Sequence, residues 1–200
     1  MNEEKDAVAQ AAAAQEVAVL LEALGQVAWP ADREVVLRLA EGLGWRVTRA
    51  SSAGLRFVTS LAVDDPRARA LLGDESAGTS KLESLTVNVS DRDEADAAAV
   101  HAAFESVCAS VADVLGPEVR RDAWEYPRRA WDFASGGRIV LQDLHDVVIL
   151  KLLSRDMADL ERDEVRLGID PNRVPGTGHD DLENALRQMR RCGRSEGRGQ

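Results

Sequence analysis

The stretch WDFASGGRIVLQDLHDVVILKLL, residues 131–153, decides the fold. Apolar and polar residues alternate on either side of Gly136-Gly137, so two strands face each other across a turn. A two-residue Gly-Gly loop would set Phe133 opposite Val140 and Trp131 opposite Gln142, which leaves a large aromatic beside an amide. A five-residue loop pairs Trp131 with Leu141 and Phe133 with Ile139. Because a slip of one residue inverts every side chain, the apolar matching favours the wider loop, with glycine supplying any positive φ. Leu144-His145-Asp146 then turns the chain into Val147–Leu153, apolar at every position except Lys151. That is the pattern of an interior strand covered on both faces.

Working outward, Val100, Phe104, Val107, Val111 and Leu115 form one stripe of a helix that ends at Gly116-Pro117. Asp91 followed three residues later by Glu94 resembles its capping box. Glu118 to Arg129 reads as a polar connection. Upstream, Trp45 to Arg49 reads as a first strand, Leu55 to Val63 as a second and Leu82 to Ser90 as a third, with Ser51 to Gly54 turning the first into the second. Residues 64–81, rich in Asp, Gly, Ser and Thr, read as a surface loop with one helical turn at Leu71-Leu72.

Residues 3–24 predict an alanine-rich helix with Val17, Leu20, Leu21 and Leu24 on one side. Val35, Val36, Leu39 and Leu43 predict a second, with Asp32 at its start. After Ser154 a last helix covers 155–167; a Pro- and Gly-containing linker, a short amphipathic helix at Leu182, Leu186 and Met189, and an Arg-rich end follow. The expected class is therefore α+β: an antiparallel sheet of about six strands, in two three-stranded units, packed by helices. Residues 1–25 form an extra N-terminal helix, 26–168 the α+β domain and 169–200 a tail.

The 200 residues hold 25 Lys and Arg against 35 Asp and Glu, a net charge of -10. Residues 187–200 run the other way, with five arginines against one glutamate, so the rest is more acidic still. Such a body repels phosphate backbones and anionic lipid, making nucleic acid a poor partner and a basic protein a favourable one. Aromatics are only 4%, which leaves the core to Val, Leu and Ala. No run approaches the ~20 apolar residues of a membrane span, and the acidic start, Met1-Asn2-Glu3-Glu4, lacks the positive charge of a signal peptide. A cytoplasmic location is expected, with Cys108 and Cys192 as reduced thiols.

Reaction chemistry is sparse. His101 and Cys108 stand seven residues apart on one helix, about 10 Å in rise, too far for direct thiol activation. His179-Asp180-Asp181 is a compact set of potential metal ligands, but a helix N-cap accounts for it better. Asp91, Asp93, Glu94 and Asp96 suit the positive end of a helix. Neither a phosphate-binding loop nor a Gly-x-Ser-x-Gly elbow occurs. No catalytic residue, cofactor or metal ligand is therefore expected. Asp156, Asp159, Glu161 and Asp163, on the last helix, are the expected partner-binding residues.

Trp45-x-Val47, Val114-Leu115-Gly116-Pro117 and the run from Trp131 to Ser154 resemble an uncharacterised family of small actinobacterial proteins, over roughly residues 28–165. That resemblance carries no assigned activity. More distantly, the element order is similar to the type III secretion chaperone-like fold, also met in bacterial immunity proteins, which implies a protein-binding role by analogy. The function expected is a non-catalytic, chaperone-like or immunity-like protein-binding module. The alternatives are an enzyme assembled around His101, His145 and an acidic neighbour, and a regulator contacting nucleic acid through the Arg-rich end.

Overall fold

The computed structural model describes residues 9–73, 80–122 and 126–167. The expected linker, short helix, Arg-rich end, Cys192 and the His179-Asp180-Asp181 group lie outside the described residues. The chain divides into two compact units, Met1–Ala158 and Asp159–Gln200.

Strands β1 (Arg46–Ser51), β2 (Gly54–Val58), β3 (Arg67–Leu72), β4 (Leu82–Asn88), β5 (Arg120–Asp122), β6 (Arg128–Asp132), β7 (Arg138–Asp143) and β8 (Val148–Leu153) form one sheet. Its order is β1-β2-β3-β4-β8-β7-β6-β5, antiparallel throughout. The class is α+β as expected, but the sheet has eight strands instead of about six, in two four-stranded meanders joined along β4 and β8.

The two additional strands are β3 and β5. In β3 the segment Arg67-Ala68-Arg69-Ala70-Leu71-Leu72 buries Ala68, Ala70 and Leu72 and exposes the residues between them. Alanine has little β-propensity, so this segment reads as loop in isolation; hydrogen bonding to β2 on one side and β4 on the other makes it a strand. It also separates β2 from β4, which the sequence reading placed together. β2 stops at Val58, five residues before the expected end, and 59–66 form the bend that feeds β3. β5 has only three residues, paired from Arg120↔Ala130 to Asp122↔Arg128.

Helix α1 spans Ala14–Gly25, α2 Arg33–Gly42, α3 Ala97–Leu115 and α4 Arg155–Arg166. The first begins later than expected because residues just before it run beside the segment that follows β4: the Ala12 amide donates to the Val89 carbonyl at 2.9 Å and the Asp91 amide to the Gln10 carbonyl at 2.8 Å. Asp32 caps α2 as expected, accepting from the Val35 amide at 3.0 Å. For α3 the cap is Asp96, which accepts from the amides of Ala98 and Ala99 at 3.0 and 2.9 Å, and not an Asp91–Glu94 box. Asp91 instead receives the amides of Gln10 and Asp64.

Helices α1, α2 and α3 bury their apolar stripes on one face of the sheet, against Leu55, Phe57, Leu85, Val87, Leu150 and Leu152 among others. Helix α1 is part of this core, with Val17, Leu20, Leu21 and Leu24 buried. Each fully buried Leu or Phe contributes about 1.5–3 kcal/mol by leaving water. Helix α3 is the one described helix long and apolar enough to cross a membrane by length and composition, and its apolar stripe is core.

In the 131–153 hairpin the register is Trp131↔Ile139, closed by Asp132↔Arg138, two residues away from the five-residue-loop expectation but on the same faces. Phe133 leaves the ladder, its amide donating to the Gly137 carbonyl, and its ring lies against Gly25 at the end of α1. Trp131 is fully buried and its indole donates to the Gly116 carbonyl at 3.0 Å.

Candidate functional site

The opposite face of the sheet is treated differently in the two meanders. On the second, the first turn of α4 folds back so that Ala158 and Met157 pack on Ala130, Val140 and Leu153. On the first meander, β4 leads into α3, which packs on the other side, and the outward face of β1–β3 is exposed.

The pairing register places one cross-strand row on that outward face: Arg49 opposite Arg56, Arg56 opposite Arg69, Arg69 opposite Thr86 and Thr86 opposite Lys151. A neighbouring row holds Arg46, Val58 and Arg67. All five arginines are exposed. Asp65 pairs with Arg67, whereas Arg46, Arg49, Arg56 and Arg69 hold no ion pair or side-chain hydrogen bond among the described residues. Directly opposed side chains in an antiparallel pair stand about 4.5–5.5 Å apart at Cβ, and like charges there destabilise the sheet. A hollow of about 380 Å³ lies between Arg56, Val58, Arg67, Arg69, Thr86 and Asn88. A smaller one of about 180 Å³ shares Arg56 and Arg69 and adds Arg49 and Ser51.

The acidic residues singled out by sequence are arranged otherwise. Asp159 accepts from Arg162 at 2.5 Å and Asp163 pairs with Arg166 at 3.0 Å, each within α4. Glu161 is half-buried and also engaged. Asp156, in the first turn of α4, is exposed and lines a hollow of about 250 Å³ with Trp29, Pro30, Lys81 and Arg155. Much of the negative charge on this helix is thus answered by its own arginines, whereas among the described residues no carboxylate answers Arg46, Arg49, Arg56 or Arg69.

The histidines converge in part. His101 Nδ1 lies 2.9 Å from Asp143 Oδ2, and the other oxygen of that carboxylate, buried at the end of β7, accepts the His145 amide at 2.8 Å. His145 turns with φ 70°, and its ring lies 5.2 Å from that of Tyr126. His101 stacks on Phe104, over which Arg129 sits at 5.5 Å while its guanidinium meets Glu105 at 2.6 Å. Cys108 is a free, buried thiol, and desolvation pushes its pKa up to about 12. Among the described residues no group of three or more His, Cys, Asp or Glu is placed to hold a metal ion.

Sequence reasoning missed the arginine row because it requires β3. The signal was present in the alternation Arg67-x-Arg69, whereas Arg46 and Arg49, three residues apart, share a face only through the bulge between Val47 and Arg49, and only the register brings them together with Arg56.

Fold and surface together define an α+β protein built on one antiparallel sheet with a half-face that carries arginines and is left uncovered by the described residues. The chain belongs to the family of unknown function DUF6301, whose model matches residues 15–154. No curated protein and no solved structure matches it.

Proposed function

We propose that the protein is a non-catalytic binding module, chaperone-like or immunity-like in role, that holds a protein partner against the outward face of β1–β3. The observation that supports this is the row Arg49, Arg56 and Arg69, at directly opposed positions, exposed and without ion pairs among the described residues. Edge protection is one use of a charged strand and accounts for arginine on β1. It does not account for β2 and β3, which are paired on both sides. Side chains that repel one another on an interior strand are retained for what they meet outside the chain.

Site-specific photo-crosslinking tests the reading. A photoreactive residue at Thr86, in the hollow, should capture one discrete protein, and one at Ala109, on the exposed side of α3, should not. The captured protein, made recombinantly, should bind the purified full chain. Equal capture from both positions, or none from Thr86, contradicts the reading.

A second reading, an acid–base enzyme, draws on the His101–Asp143 pair, because a buried carboxylate orienting an imidazole is an arrangement general bases use. It gains weight if the chain hydrolyses a model ester and His101→Gln abolishes that turnover.

A further inference from the structure

The reading above leaves the partner's chemistry open, and the inference that follows rests on it. We infer that the outward face of β1–β3 is an anion-binding surface that takes a short acidic segment of a protein. A protein with a net charge of -10 is expected to attract basic partners, yet among the described residues its concentrated unpaired charge is positive and faces outward from an interior part of the sheet. Three arginines at opposed positions on neighbouring strands, whose backbones stand about 4.8 Å apart, match carboxylates on successive turns of an acidic helix, whose i and i+4 side chains stand about 5–6 Å apart at Cβ. Each arginine can take a carboxylate through two parallel hydrogen bonds.

Three observations favour a protein segment over a nucleic acid. The outward-facing residues of β1–β3 include no aromatic ring on which a base could stack. The patch is small, three strands wide, and carboxylates bound it: Asp65 holds Arg67, and Asp64 and Asp91 lie just beyond, tied through the Asp64 amide. A phosphate backbone longer than the patch would run onto those carboxylates, whereas a few acidic side chains would not. Val58 in the hollow and the partly exposed Leu71 add apolar contact that a protein segment uses.

The test uses the full chain and two probes, a fluorescent oligo-glutamate peptide and a single-stranded oligonucleotide of matched charge, each titrated at low and at physiological salt. Oligo-glutamate should bind, more tightly than the oligonucleotide. The variant Arg56→Glu/Arg69→Glu should lose at least tenfold in affinity, and Arg56→Gln/Arg69→Gln should lose part of it. Arg38→Glu, on the exposed side of α2, should be without effect. Tighter binding of the oligonucleotide, absence of oligo-glutamate binding, or binding undiminished in both double variants overturns the inference. Should oligo-glutamate fail while a Thr86 crosslink still captures a protein, the acidic chemistry falls and the docking face stands; should the crosslink fail as well, both fall.

Discussion

Asp143 and Cys108 are two buried groups that differ in how far the sequence reveals them. Asp143 was not singled out in the sequence, where the acidic neighbour of His101 and His145 had no number; in the folded chain it is buried and both its oxygens are used, by His101 from α3 and by the His145 amide of the following turn. Only the crossing of α3 over β7 brings His101 there. Cys108 was legible, because it falls on the apolar stripe of α3. Its folded pKa, near 12, lies above the 9.0 of an ordinary thiol, so folding favours the protonated form. This contribution is fully present below pH 9 and is lost as pH rises toward 12, with a slope of at most about 1.4 kcal/mol per unit. Urea denaturation of wild type and Cys108→Ala across that range should show the wild type losing stability more steeply; parallel curves would contradict the burial of this thiol.

Among the elements, helices were read best and short strands worst. The stripes of α1, α2 and α3 recur every three to four residues, and a periodicity of that length survives without tertiary information. Their starts were less legible, since several acidic residues precede α3 and only one has its carboxylate at the free amides. Asp96→Ala should therefore lower stability by about 1 kcal/mol, while Glu94→Ala, at a residue making no cap contact, should change it by less than about 0.5 kcal/mol. Reversed magnitudes in denaturant melts would restore the Asp91–Glu94 box. β3 was missed because arginine and alanine carry no strand signal of their own. Arginines held at opposed positions on neighbouring strands should also be a burden to the fold: at low ionic strength Arg56→Thr/Arg69→Thr should melt higher than the wild type, by up to about 1 kcal/mol for each opposed pair relieved. A lower melting point would mean that these side chains stabilise the sheet.

For the whole molecule, the expected class was correct and the expected size of the sheet was not, and the difference bears on function. Each four-stranded meander follows a helix, α2 before β1–β4 and α3 before β5–β8, and the two meet along β4 and β8. The second is followed by α4, whose first turn covers its outward face; the first has no such cover among the described residues and carries the arginines there instead. Net charge, which is what composition reports, gives the opposite sign from this local surface. The account stands on that half-face being where an anionic partner sits. Amide chemical-shift mapping of the isotope-labelled full chain, titrated with oligo-glutamate, locates the contact: the largest changes should fall in residues 46–49, 54–58 and 67–71, and changes centred on α2, α3 or α4 would contradict it.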